Sequence, residues 1–145
     1  MYRHILIPTD GSHLSELAVR QGIKLAKSIA AKVTAITVFA PFHTIAIEPM
    51  MITATAEQYQ KECDALGEKY LRVVKDAAQA AGVPCEAMCV VHDHPYQAII
   101  QAADTRGCDL IFMASHGRRG VAALVLGSET TKVLTHTRIP VLVCR

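Results

Sequence analysis

At 145 residues, with 51% hydrophobic side chains and a formal net charge of +2, the chain has room for one packed domain and too little for two. Acidic and basic residues are interspersed, which argues against nucleic acid or an anionic membrane as partner. No apolar run reaches the roughly 18 residues of a membrane span, and the N-terminal MYRHILIPTDGS lacks the apolar core and cleavage site of a secretory signal; one cytoplasmic domain over residues 1–145 is expected.

The first apolar run, His4–Thr9, is short and β-rich and stops at Pro8 and the turn set Asp10-Gly11-Ser12; it reads as a strand. Leu14, Leu17, Ala18, Leu25, Ala26 and Ile29 then recur at helical spacing, with Asp10 or Ser12 as the N-cap. Lys32–Ala40 reads as the second strand. The apolar segment Pro41–Thr55 that follows contains two prolines and is long for a connection, as lids and interaction surfaces often are. A long helix is expected over Ala56–Ala81, with Tyr59, Cys63, Leu66, Tyr70, Val73, Ala77 and Ala81 along its buried face, Gly82 as its cap and Pro84 beyond. Cys85–Val91 reads as the third strand, the PYQAIIQAADTRG stretch as a helix with Pro95 in its first turn and Gly107 past its end, and Asp109–Ser115 as the fourth strand. Ser128–Thr137 is the last helix and Ile139–Arg145 the last strand.

Strands and helices alternate, and the strands are apolar enough to be buried on both faces. That pattern predicts an α/β fold, an open five-stranded parallel sheet with helices on both faces, Rossmann-like in its logic. Ligands of such sheets bind beyond the strand C-termini, where the strand order reverses. The segments to inspect are therefore PTDGS, VFAPF, VVHDHP and MASHGRRG.

Two familiar phosphate motifs, GxxxxGK[ST] and GxGxxG, are absent from the chain. What is present is Ala114-x-x-Gly117, nine residues, then Gly127-Ser128. Gly117 allows backbone N–H groups to approach a phosphate with no Cβ in the way. Gly127 and Ser128 open a helix, whose free N–H groups and positive dipole end favour an anion. The Ser128 hydroxyl can donate to a phosphate oxygen, and Arg118 and Arg119 add positive charge nearby. The alternative is a plain strand-to-helix loop in which Ser128 is an N-cap and the glycines only turn.

PTDGS near the N-terminus, MASHGRRGVAALVLGS and the terminal IPVLVCR resemble the universal stress protein family, and the resemblance runs essentially end to end. The nucleotide-binding branch of that family carries Gly-x-x-Gly, nine residues, then Gly-Ser or Gly-Thr; this chain matches at Gly117, Gly127 and Ser128 and departs at Ala114. The resemblance implies strand order 3-2-1-4-5. It implies ATP, AMP or ADP as ligand; an Asp with a divalent cation such as Mg²⁺ could help hold a triphosphate. Pro8, Thr9 and Asp10 would sit against the adenosine, the backbone of Val38 along the adenine, and Met113 and Ala114 on the ribose or base side. Gly117 would face the α- and β-phosphates, and Gly127, Ser128 and the backbone of Glu129 the β- and γ-phosphates. It further implies a homodimer through Ile139–Arg145 and a role in stress survival with a protein partner the sequence does not identify. For Asp10 an N-cap role, and for the Val38 and Met113 side chains core packing, stand beside these assignments.

Five cysteines without CxxC spacing read as buried reduced thiols. Of seven histidines, His92, His94 and His116 fall at the sheet's C-terminal edge, where a metal or phosphate contact is conceivable and solvated loop positions are favoured; His4, His13, His43 and His136 read as surface residues. The apolar Val121–Leu126 packs down as a short helix or lies in a partner interface. No nucleophile or general base with an orienting partner stands out, so binding rather than catalysis is expected. Three functions compete: a nucleotide-binding switch, a homodimeric scaffold without nucleotide, and a weak ATPase or phosphotransferase.

Overall fold

The computed structural model describes residues 1–45, 55–118 and 126–145. Five strands, β1 (His4–Pro8), β2 (Lys32–Phe39), β3 (Cys85–Val91), β4 (Leu110–Ala114) and β5 (Val141–Cys144), alternate with helices α1 (His13–Ser28), α2 (Phe42–Ile45), α3 (Ala56–Ala81), α4 (Pro95–Arg106) and α5 (Ser128–His136). All pairings are parallel, and the sheet runs β3-β2-β1-β4-β5. The fold class and the 3-2-1-4-5 order are as the sequence and the resemblance imply.

Alternation along β1 builds both layers at once. Ile5 and Ile7 point into one core with α1 and α3, against Ala18, Val19, Leu71 and Val74. Leu6 points into the other with α4 and α5, against Ile99, Ala103 and Val133. All three β1 side chains are fully buried, worth roughly 1.5–3 kcal/mol each relative to exposure. Truncating Ile7 to alanine therefore costs roughly 2–5 kcal/mol.

The helix ends follow local chemistry. Ser12, not Asp10, is the α1 N-cap, its hydroxyl accepting from the Ser15 N–H. Thr55 and Gln58 form a reciprocal capping box at the start of α3. Gly82 and Gly107 end α3 and α4 at φ of 71° and 68°, a left-handed backbone that favours glycine.

Four expectations need correction. On α3 the buried side chains are Cys63, Tyr70, Leu71, Val74 and Ala78, while Leu66 is exposed and Val73 and Ala77 are half-buried. The helix is rotated because Gly67 takes the close approach to Cys89 and Phe39. Strand β3 lies at the sheet edge, so Glu86, Cys89 and Val91 are exposed and its burial on both faces fails. All five cysteines are free, with Cys63, Cys108 and Cys144 buried but Cys85 half-buried and Cys89 exposed; burial pushes the Cys108 thiol up to about 11, an inert state. His4 is the fourth. It is 5% exposed, its Nε2 lies 2.7 Å from Thr34 Oγ1, and burial, with help from Lys32, pushes its pKa below the ordinary value. Asp109 holds the adjacent backbone by accepting from the Arg3 and His4 N–H groups. His13, His43, His94 and His136 are exposed and His92 is half-buried. Among the described residues, no helix is long and apolar enough to cross a membrane. The expectation for Val121–Leu126 falls outside the described residues but for Leu126, as does that for Pro41–Thr55 beyond α2 and Thr55.

Candidate functional site

Strand order reverses between β1 and β4, so the crevice of interest opens beyond Pro8 and Ala114. Two segments meet across it. Asp10, just past β1, accepts from the Ser12 N–H through Oδ1 at 3.0 Å and from the Arg118 N–H through Oδ2 at 2.8 Å. Burial raises the Asp10 pKa, but the hydrogen bonds from Ser12, Arg118 and Ser15 outweigh it and hold the carboxyl below its ordinary value. A Cβ on Gly117 would collide with that same carboxylate. Gly117 is thus needed for close approach to Asp10, since its φ is not among the positive ones.

The other wall is the start of α5. Gly127 is the N-cap, with φ of −58° and no side-chain hydrogen bond capping the helix. Ser128 is the first helical residue and exposed, so it does not serve as the N-cap. The first N–H groups of a helix have no intrahelical acceptor, and among the described residues no side-chain cap bond supplies one. Two bonds pin this helix start to β4: the Gly127 N–H donates to the Ser115 carbonyl at 2.7 Å, and Thr130 Oγ1 donates to the Ala114 carbonyl at 2.9 Å. A Cβ on Gly127 would lie 3.0 Å from the Ser115 carbonyl oxygen and 3.3 Å from His116 Cα, so any side chain there displaces backbone. His116 Nδ1 lies 2.9 Å from Ser115 Oγ, and its Nε2 is buried without a partner among the described residues.

Ala114 is not strained. It is the last residue of β4, paired with Cys144 and 7% exposed. The one non-glycine residue at positive φ among those described is Ala30. The methyl that stands where the pattern has glycine therefore packs into the core with α1 and α3.

The remaining sequence-derived positions gather at the same edge. Pro8 ends β1. Thr9 is buried, its hydroxyl 3.1 Å from Ser15 Oγ and its N–H on the Ile36 carbonyl. Val38 and Met113 pack in the core under α4 and α5, as the packing alternative holds for their side chains. Glu129 turns its carboxylate away, accepting from the Tyr96 N–H at 2.9 Å at the start of α4 and pairing with Lys132 at 3.4 Å. Only its backbone remains beside Ser128. The Arg118 guanidinium lies 4.9 Å over the Tyr70 ring of α3; Arg119 lies outside the described residues. Nothing in the sequence singles out Thr130 or Ser115 as part of the site, and helical spacing marks Tyr70 only as buried.

Among the described residues, no group of three or more His, Cys, Asp or Glu side chains is placed to hold a metal ion. His92 and His94 contact each other, with ring centroids 6.2 Å apart and the His94 N–H donating to His92 Nδ1. Asp93 beside them accepts from Thr44 Oγ1 at 2.6 Å.

A family model described as the Universal stress protein family matches residues 1–145. The chain is 32% identical over 147 residues to Universal stress protein MJ0531 of Methanocaldococcus jannaschii, covering all of this chain and 83% of the relative. The solved structure of MJ0577, a protein of the same organism, superposes with a TM-score of 0.82 at 26% identity over 99% of this chain and 95% of the other. A universal stress protein solved in complex with cAMP superposes with a TM-score of 0.68 at 27% identity, over 99% of this chain and 97% of the other.

Proposed function

We propose that this chain, which belongs to the universal stress protein family, is one domain that binds an adenine nucleotide (ATP, ADP or AMP) at the C-terminal edge of its sheet and acts in the cytoplasm as a stress sensor or regulator. The single observation that carries this is the uncapped start of α5, pinned to β4 with Gly127 flush against backbone. Such a start offers convergent N–H donors and a positive dipole end to an anion. The complex of a relative with cAMP supports adenine as the base.

In this arrangement the phosphates lie over Gly117, Gly127, Ser128 and the Glu129 N–H, with the Ser128 hydroxyl as a further donor. The base and ribose lie toward Pro8, Thr9, Asp10, Val38, Met113 and Ala114. Thr9 contributes backbone, because its hydroxyl is engaged by Ser15. Mg²⁺, where a triphosphate brings it, is held chiefly by phosphate oxygens.

A homodimer through the last strand is part of the same proposal. Strand β5 pairs only with β4 among the described residues, Leu142 is 41% exposed, and an unpaired edge with apolar side chains suits a second copy. Replacing Leu142 with lysine should yield monomer by sedimentation velocity; an unchanged dimer would place the contact elsewhere.

Nucleotide binding is tested by denaturing purified protein, resolving the released small molecules by anion exchange against adenine standards, and titrating ATP into stripped protein. An empty site that also fails titration rejects the proposal. Turnover above a Gly127→Val control would instead favour a weak ATPase.

A further inference from the structure

The crevice has a second support on the face of the sheet opposite α5. Tyr70, on α3, is 7% exposed. Its ring lies so close to Gly11 that a Cβ there would enter it, and Gly11 has φ of 75°, so both space and backbone demand glycine. Phe39, at the end of β2, stacks beside the ring with centroids 6.3 Å apart and planes at 21°. Onto this aromatic shelf comes the loop after β4, with the Arg118 guanidinium 4.9 Å from the Tyr70 centroid. The loop is thus held twice at one residue: the Arg118 N–H by Asp10 just past β1, and the Arg118 side chain by Tyr70 on α3.

We propose that Arg118 and Tyr70 form a clasp that positions Gly117 for the phosphates before nucleotide arrives; this rests on the nucleotide-binding function above. Arg118 acts through the loop and does not touch the ligand. A planar guanidinium over a phenol ring is drawn by the ring's quadrupole and covers its apolar face. The Asp10 bond alone sits at an exposed residue, where water competes for it. With the side chain also fixed, the loop need not be ordered at the moment of binding, and that saving appears as affinity. The Tyr70 hydroxyl has no hydrogen-bond partner among the described residues, so the ring, not the hydroxyl, does the holding.

Four variants test the clasp: Arg118→Ala, Tyr70→Leu, Tyr70→Phe and the double Arg118→Ala/Tyr70→Leu. Two quantities are read, amide hydrogen exchange at position 118 in nucleotide-free protein and ATP affinity by calorimetry. Tyr70→Phe keeps the ring and should match the parent in both. Arg118→Ala and Tyr70→Leu should each speed exchange at position 118 and weaken ATP by about twofold to thirtyfold. The double variant should be no worse than either single one, because both remove one contact. Additive losses, or an Arg118→Ala protein unchanged in exchange, overturn the clasp. Arg118 is on an exposed loop, so that variant decides the matter even if Tyr70→Leu fails to fold. Should the parent bind no ATP, the nucleotide function falls, and equal, non-additive acceleration of exchange still supports the clasp while its absence rejects it.

Discussion

Two helices begin at the same edge of the sheet, and they treat their free N–H groups in opposite ways. At α1 the Ser12 hydroxyl accepts from Ser15 and Asp10 accepts from Ser12, so the start is closed by the chain itself. At α5 the N-cap is a glycine with no side-chain bond, and the acidic residue of the first turn, Glu129, is turned to the start of α4. A helix start left open costs stability unless something else satisfies it. In the proposed function the anion lies at the open start of α5, while Asp10 serves both the start of α1 and the loop after β4.

Four substitutions sharpen or break that contrast. The largest effect is expected for Gly127→Val. Its side chain must push on the Ser115 carbonyl and the His116 backbone, and losing two charge-assisted N–H contacts at about 1.5 kcal/mol each weakens ATP roughly a hundredfold. Next is Ser128→Ala, which removes one exposed hydroxyl. ATP affinity should fall about tenfold while the melting temperature stays put; an equal loss of stability would mean the hydroxyl serves the fold. Ser12→Ala should do the reverse, costing about 1 kcal/mol of stability in urea titration and leaving ATP affinity alone.

The smallest effect is acid sensitivity. The Asp10 pKa is lowered in the folded chain, so its contribution is present above the ordinary carboxylate value and is lost as pH falls through that value toward the lowered one. Asp10→Asn should therefore flatten the acid limb of the stability profile. An unaltered limb would mean that the bonds to Ser12 and Arg118 carry no net stability.

Much of this edge was legible in the sequence because it is written in local chemistry. Gly82, Gly107 and Pro95 mark helix ends by backbone preference, and alternating strands and helices dictate a parallel sheet. The positions at the crevice followed from spacing and family resemblance. What stayed hidden depends on contacts distant along the chain. The Asp10–Arg118 bond joins residues 108 apart, and no periodicity reports it. Helical spacing marked Tyr70 as buried without showing that Gly11 and Arg118 meet its ring. His4 looked like a surface residue because its partner Thr34 lies on the next strand. Ala114 looked like a defect in a glycine pattern, and only its place in β4, at an ordinary strand conformation, shows that a methyl fits.

The most direct test is calorimetric titration of ATP into nucleotide-stripped parent protein and folded Gly127→Val side by side. Binding by the parent and its loss in a Gly127→Val protein that still melts cooperatively is the expected result. Equal affinity in the two proteins would show that the open start of α5 does not hold the phosphates.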